Sequence, residues 1–435
     1  MRAVTVTSFV AAPATLPFRH WASLAVAATL PFTYAMTVDV GFPFKVYELL
    51  LLALGLVALL EGRLVVAPGV LAHLRPMAWL WLWAAGWLAY RIAQPLGTFN
   101  GAGFTPRFGP GGDGLTKLAY LALAMFAFVA LATTAYEDAK RLARWWIVGA
   151  AVAATYGWTI LICSALGFPA PLLPGMETPQ MINIGGREVY RAGTFEEGNF
   201  FGMYLLCSTA VAMWLRWRWA ALALSASVLI TFSTANVIAM AVFWVVLVLL
   251  RARADADPRS GVVGVAFVLG AGAFAIVVAL ATGYLQEFVI KKLTTDELGS
   301  KLDRLDLTVA GLRMALEHPV GGVGLSQYGY HYKAYQLTDF FAQFRQRKSI
   351  AGNVYVELAS ELGIVGLALG VAWGRRIWGL ARAGGTSSAA FRAGLAGVAL
   401  ALATFPSFTV LFLWAFAALI AGDALRRARD ADTAA

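Results

Sequence analysis

The sequence has few charged residues and almost no cysteine for its length. Charged residues make up only 13% of the 435 positions, and the chain holds two cysteines and four histidines. Two cysteines, Cys163 and Cys207, cannot form a disulfide framework, and both lie within or beside apolar runs, which favours a packing role. The scarcity of charge excludes an ordinary soluble domain.

The chain is instead rich in apolar residues, which make up 60% of it and give a mean hydropathy of +0.70. They form runs of about 17 to 23 residues, the length with which a helix crosses the hydrocarbon core of a bilayer. We therefore predict an all-α polytopic membrane protein with about twelve transmembrane helices. The predicted spans are 21–39, 46–61, 77–93, 118–135, 145–167, 199–215, 219–233, 236–250, 261–283, 353–372, 388–404 and 407–423.

The basic residues predict the orientation. An even number of crossings puts both termini on one side, and the short segments of that side hold most of the arginines, so it is the cytoplasm by the positive-inside rule. The large segment 284–352 is then extracytoplasmic, between transmembrane helices 1–9 in residues 1–283 and helices 10–12 with a short tail in 353–435. This topology explains the formal charge of +10 without nucleic acid.

Two arginines on the predicted outer side are candidates for binding an anion. Arg191 precedes a spanning helix that has Asn199 in its first turn. Arg304 lies on a predicted amphipathic helix from Ser300 to Glu317, whose leucines repeat at helical spacing while Asp306 falls on the polar face. Guanidinium groups bind phosphate oxygens in pairs and stay charged. Lipid headgroups or loop carboxylates are the alternative partners.

Other polar residues favour either chemistry or packing. His331, in QYGYHYKAY, is a candidate base or a surface histidine among aromatic residues. Asn353, Glu357 and Glu361 are four residues apart and share one face of the tenth helix. A carboxyl group at the depth of Glu361 is costly in hydrocarbon, so it faces a cavity or a partner. Interhelical hydrogen bonds are the structural alternative for this face.

Four motifs, in this order, resemble the O-antigen ligase and O-antigen polymerase superfamily: FPFKVYELLLL, RAGTFEEGNFFG, DRLDLTVAGLRMALEHPVGGVGLSQY and GNVYVELASELGIVG. The resemblance implies a glycosyltransferase of the bacterial inner membrane that needs no metal ion or other cofactor. Its donor is a glycan on undecaprenyl diphosphate, and its site faces the periplasm. Ligases transfer the glycan to the lipid A core, whereas polymerases transfer it to another carrier-linked glycan.

The resemblance also assigns roles to residues. Arg191 and Arg304 match the arginines that bind the diphosphate, with Asn199, Asn353, Tyr355 and Glu361 as supporting residues. Fixed guanidinium groups stabilise the charge that develops on a leaving diphosphate. Direct displacement by an acceptor hydroxyl would invert the anomeric configuration.

The chain departs from the ligase motif at one position. Ligases carry a histidine directly before the asparagine of the re-entering helix, and here that place is Gly352. Glycine cannot accept a proton. Either His331 or Glu357 supplies the base, or the protein is a polymerase with a looser motif, or it is inactive.

Our leading prediction is an O-antigen ligase-like transferase, with a polymerase that uses the same donor as the alternative. A lipid or glycan transporter is a rival from another class, because transporters also place polar residues in broken helices at mid-membrane. A structural scaffold in the cell envelope is a further rival hypothesis. The hypotheses can be told apart by whether the protein transfers a glycan and whether it needs Arg191 and Arg304 to do so.

Overall fold

The chain folds almost entirely into helices. A computed structural model describes residues 18–39, 43–62, 64–96, 108–176, 180–184, 187–254, 297–338 and 348–434. Its helices are α1 (Phe18–Thr29), α2 (Val46–Leu60), α3 (Val70–Ala93), α4 (Gly109–Leu166), α5 (Gly198–Trp214), α6 (Arg218–Ser227), α7 (Thr234–Ala254), α8 (Glu297–Glu317), α9 (Tyr328–Tyr335), α10 (Val354–Ala383), α11 (Ala389–Ala401) and α12 (Leu411–Asp432). Short 3-10 helices cover Leu229–Thr231, Gly385–Ser388 and Leu402–Thr404.

Two short antiparallel hairpins join helices. Strands β1 (Val38–Asp39) and β2 (Pro43–Phe44) pair before α2. Strands β3 (Met181–Ile184) and β4 (Arg187–Tyr190) pair before α5, with Met181 opposite Tyr190. The second hairpin ends one residue before Arg191 and so delivers that residue to the start of α5.

Among the described residues, three helices are long and apolar enough to cross a membrane, by length and composition: Gly109–Leu166, Thr234–Arg253 and Val354–Ala383. Shorter apolar helices cover Val46–Leu60, Arg218–Thr231 and Ala389–Thr404. The predicted class, a helical protein with membrane-spanning helices, is confirmed. The number of about twelve spans and the side on which 284–352 lies stay predictions. The predicted span 261–283 lies outside the described residues.

Two helices differ from their predicted spans for local reasons. Within the predicted span 21–39, α1 ends at Thr29, because Pro31 disfavours a helical conformation at the residue before it. In α4 one helix runs through two predicted spans, with a kink at Asp138 (φ −147°, ψ 82°). The Asp138 carboxylate accepts a hydrogen bond from Arg141 N at 3.0 Å and so caps the second half.

The core lies where α4 and α5 meet α11 and α12. Trp146 of α4 stacks on Tyr204 of α5 with ring centroids 5.6 Å apart, and its Nε1 donates to Ser208 Oγ at 2.8 Å. A Cβ on Gly422 of α12 would lie 2.4 Å from Ala132 O, so only glycine allows this approach of α12 to α4. Small residues of this kind let membrane helices pack closely.

Helix α8 packs on the protein through a face that includes Asp306, and its leucine stripe is left exposed. Leu305 and Leu316 of the leucine stripe are exposed, whereas Asp306 is only 1% exposed. Asp306 accepts hydrogen bonds from Tyr332 Oη and from Leu337 N. Asp306 is buried although it falls on the polar face, because α9 and the residues after it supply the donors that a buried carboxylate needs. That α8 lies along the membrane surface stays a prediction.

Candidate functional site

Helix α10 is broken at Gly363, and a loop from the preceding segment fills the break. Gly363 has φ 68° and ψ −166°, so the helical hydrogen bonds stop there. Residues 318–326, which we call the glycine loop, replace them. The replacing bonds run from Val323 N to Ser360 O (2.8 Å), from Gly324 N to Glu361 O (3.1 Å) and from Ile364 N to Pro319 O (2.8 Å).

Glycines let the loop and the broken helix touch. A Cβ on Gly363 would lie 2.2 Å from Val320 O, and one on Gly322 would lie 2.4 Å from Ser360 O. The loop is also fixed from α3, because Trp87 Nε1 and Arg91 Nη2 both donate to Gly322 O, at 3.1 and 3.0 Å. The turn at Gly321–Gly324 therefore completes the broken helix.

A charged group is buried on the first part of α10, before the break. Lys117 Nζ of α4 lies 2.6 Å from Glu357 Oε1 and 2.6 Å from Glu361 Oε2. The two glutamates are only 5% and 4% exposed. Each also accepts a backbone N–H, Glu357 from Ser407 at 2.7 Å and Glu361 from Ser326 at 2.8 Å. A partner or a cavity was predicted for Glu361, and the structure shows that Lys117 is its partner.

A second ion pair continues this group. Lys348 Nζ lies 2.7 Å from Asp113 Oδ2 and donates to Ser326 O at 2.6 Å. Tyr330 Oη also donates to Asp113, at 2.9 Å. Burial lowers the pKa of Lys348, while the carboxylate of Asp113 acts in the opposite direction. We call Asp113, Lys117, Lys348, Glu357 and Glu361 the charged cluster.

A cavity of about 300 Å³, the polar cavity, adjoins the charged cluster. Ser407 joins the two, because it lines the cavity while its N–H donates to Glu357. Two of the four sequence motifs, FPFKVYELLLL and RAGTFEEGNFFG, supply other lining residues of the cavity. The lining residues are Thr33, Lys45, Tyr47, Glu48, Tyr120, Leu123, Phe195, Glu196, Phe200, Ser407, Thr409, Val410, Leu411 and Phe412.

Lys45 supplies a positive charge in the polar cavity. Its Nζ lies 3.3 Å from Glu48 Oε1 and within 6 Å of two aromatic rings, 5.9 Å from the centroid of Tyr47 and 5.6 Å from that of Tyr120. Lys45 is not among the predicted site residues, although it lies within one of the four motifs. Its position within FPFKVYELLLL is the signal that could have identified it.

Arg191 lies beside the start of α5, since a Cβ on Gly198 would lie 3.1 Å from its Nε. Its Nε donates to Gln180 Oε1 at 2.9 Å, and the same oxygen accepts Gly198 N at 3.0 Å. Arg191 is thus held at the N-terminal end of α5, where the helix dipole also favours an anion. Asn199, in the first turn, accepts Asn236 Nδ2 on its carbonyl oxygen at 2.8 Å, which ties α5 to α7.

The other predicted site residues lie around α8 and the start of α10. Arg304 is exposed on α8, and its convergence with Arg191 on one anion stays a prediction. Asn353 caps α10, with its Oδ1 accepting Val356 N at 2.9 Å, and Tyr355 Oη donates to Ala399 O at 2.7 Å. A Cβ on Gly352 would lie 3.1 Å from Thr308 Oγ1, so Gly352 faces α8.

His331, the other candidate base, lies on α9 near two cationic or titratable neighbours. Burial, with His318 and Arg91 nearby, lowers the pKa of His331 to about 4. The imidazole is therefore neutral at neutral pH, which is the form that accepts a proton, although its basicity is reduced. His318 in turn makes a 3.3 Å hydrogen bond with Tyr335 Oη.

The fold and this site define a class: a helical membrane protein with a buried charged cluster at a broken helix and a polar cavity beside it. Residues 192–371 match a family model described as O-antigen ligase. The match confirms, over this part of the chain, the resemblance that the motifs carry. Proteins of this superfamily are membrane enzymes that act on lipid-linked glycans. No curated protein matches the chain.

Proposed function

We propose that the protein transfers a glycan from undecaprenyl diphosphate to a hydroxyl of the lipid A core, on the periplasmic face of the inner membrane. The family match over residues 192–371 carries this proposal. The polar cavity supports it, since residues of two motifs line it together with Ser407. Such a cavity suits a polar headgroup at the level where a lipid-linked substrate reacts.

The diphosphate of the donor is bound by Arg191 and Arg304 in this proposal. Arg191 lies at the positive end of α5, and α8 presents Arg304 next to Gly352 at the start of α10. The acceptor oxygen attacks the anomeric carbon, the bond from that carbon to the diphosphate oxygen breaks, and the electron pair leaves with the diphosphate. The guanidinium groups stabilise the charge that develops there. A single displacement of this kind inverts the anomeric centre.

The proton of the acceptor hydroxyl passes to Glu357 or His331. Glu357 is the better placed, because its carboxylate adjoins the polar cavity through Ser407. Lys117 and the Ser407 N–H hold that carboxylate in one orientation. His331 is neutral at neutral pH, with a pKa of about 4. Replacing each with glutamine separates the two, because only the loss of the true base lowers kcat by a factor of roughly 10² to 10⁴.

The proposal is tested by transfer assays on the purified protein in nanodiscs, with an undecaprenyl-diphosphate glycan and lipid A core. Arg191→Ala and Arg304→Ala should each lower kcat/KM by about 10²-fold, as loss of one donor to a developing oxyanion does. Arg313→Ala is the matched control for Arg304, since Arg313 is also exposed on α8 but donates to the carbonyls of Tyr335 and Gln336. Full transfer by both Arg191→Ala and Arg304→Ala would refute the proposed mechanism.

Polymerisation of carrier-linked glycans is the second candidate, and Gly352 favours it. Ligases of the superfamily carry a histidine at this position, whereas here α8 packs close to the glycine. The two reactions share the donor and differ in the acceptor. Supplying the lipid A core and a carrier-linked glycan in parallel distinguishes them, because the elongated product carries either the core or a second repeat unit.

A further inference from the structure

A second hollow lies on the other side of the residues that close the polar cavity. This hollow, which we call the apolar groove, has a volume of about 390 Å³ and lies between α3, α10, α11 and α12. Its walls are aliphatic and aromatic, with Trp373, Trp378 and Trp414 among them. None of its lining residues belongs to the charged cluster.

The groove extends along most of α10. Tyr355, near the start of the helix, and Trp378, near its end, both line it. At about 1.5 Å per residue this part of α10 measures roughly 30 Å along its axis, which is the thickness of the hydrocarbon core of a bilayer. Arg375 also lines the groove and marks the end away from the polar cavity.

The groove and the polar cavity meet at neighbouring residues. Ser407 lines the polar cavity, and Phe408 lines the groove. Phe408 contacts both sides, since Lys117 Nζ lies 5.2 Å from its ring centroid and its carbonyl accepts Trp414 Nε1 at 2.8 Å. Ser407 has φ 81°, a left-handed conformation that is uncommon for serine and directs its N–H to Glu357. A polar and an apolar compartment are therefore separated by one turn of chain.

We propose that the apolar groove binds the polyisoprenoid chain of the donor, while the diphosphate and the first sugar occupy the polar side. This inference rests on the proposed function and adds the binding site for the lipid part of its substrate. A single slot of membrane depth suits one long hydrocarbon chain better than the several acyl chains of the acceptor. Gly374 lines the slot and leaves room for methyl branches, since a Cβ there would meet nothing within 4 Å.

Two glycines of α10 provide a matched pair of variants. A Cβ on Gly374 or on Gly379 would meet nothing within 4 Å, so both positions accept a larger side chain. Only Gly374 lines the groove. Gly374→Leu should raise KM for an undecaprenyl donor by roughly tenfold, the size expected when a hydrophobic pocket loses fit. It should leave KM for a donor with a short two-isoprene chain unchanged, and Gly379→Leu should change neither value.

A binding measurement separates this inference from the proposed function. The probe is a photoreactive undecaprenyl diphosphate without a glycan, added to the full-length protein in nanodiscs, with labelled peptides identified by mass spectrometry. Labels within 354–378 and 395–417 that Gly374→Leu reduces and Gly379→Leu does not would support the groove, even if no transfer is detected. If the wild type is labelled in this way but transfers no glycan, only the proposed function is overturned.

Two results would overturn the groove itself. One is an equal rise in KM for long and short donors in Gly374→Leu, which would show a general disturbance of the fold. The other is equal labelling of the groove by a photoreactive diacyl phospholipid in the presence of excess undecaprenyl diphosphate, which would show that ordinary lipid fills it. Both variants are compared only after they elute as single folded species in detergent.

Discussion

The two parts of α10 on either side of Gly363 face opposite environments. Before the break, Glu357 and Glu361 are 5% and 4% exposed and share Lys117. After the break, Ile364 and Val371 are 60% and 46% exposed on an apolar surface. Charged groups within an apolar helix are tolerated only where protein surrounds and pairs them, whereas apolar side chains need no partner in lipid. The difference separates a part of α10 that needs partners within the protein from a part that does not.

The largest effect is expected where the charged part loses its cation. Lys117→Met leaves two buried carboxylates facing each other, so the free energy of unfolding should fall by about 3–5 kcal/mol. Adding Glu361→Gln should recover part of that loss because one negative charge is removed. The measurement is denaturant unfolding in mixed micelles, with Lys333→Met, on the exposed surface of α9, as the control. A stable Lys117→Met single variant would contradict the buried ion pairs.

The next effect is expected at the break itself. Gly363→Ala forces a non-glycine residue into φ 68°, ψ −166°, which costs about 1–3 kcal/mol, and it pushes a Cβ against Val320 O. Thermal unfolding should begin at a clearly lower temperature than in the wild type. Gly374→Ala, in open space on the second part, is the control and should unfold at or slightly above the wild-type temperature, because alanine is the better helix former. Equal stability of the two variants would mean that the break is not needed.

The stability of the protein should also depend on pH through His331. The pKa of His331 is lowered from 6.5 to about 4, chiefly by burial, so the unfolded chain binds a proton in this range that the folded protein does not. The stabilising contribution of neutral His331 is complete above about pH 6.5 and is lost as the pH falls toward 4. His331→Gln should flatten the unfolding midpoint against pH over this window. An unchanged slope would contradict the buried neutral imidazole.

The smallest effect is expected on the apolar part. Gly379→Ala places a better helix former at an open position, so the protein should gain at most about 0.5–1 kcal/mol of stability. Thermal unfolding in detergent measures this gain. A marked loss would show that this end of α10 packs against something beyond the described residues.

Features that depend on residues close together in the chain could be predicted from the sequence. Helix positions follow from apolar runs, and the polar face of α10 follows from the four-residue spacing of Asn353, Glu357 and Glu361. The end of α8 at His318–Pro319 also agrees with the structure, since α8 stops at Glu317. Each of these features depends on residues within about one or two helical turns of one another.

The sequence could not predict pairs that the fold brings together. Lys117 is 240 residues from Glu357, and no spacing rule connects them. Asp306 has a polar side chain on an amphipathic helix, and its burial is favourable because the hydroxyl of Tyr332 and the N–H of Leu337 both donate to it. Lys45 lies within a motif, but the cavity that it lines is formed by residues from separate helices. The roles of Arg191, Arg304, Glu357 and His331 in transfer stay predictions.

The hydrogen bonds between the glycine loop and α10 make this loop and the helix one mechanical unit. The loop cannot move away from α10 at that edge without breaking those bonds. For the proposed transfer, a bulky glycan would then enter from another side, where α8 exposes Leu305 and Leu316 instead of backbone bonds. The bonded edge of the loop would set the route of that substrate.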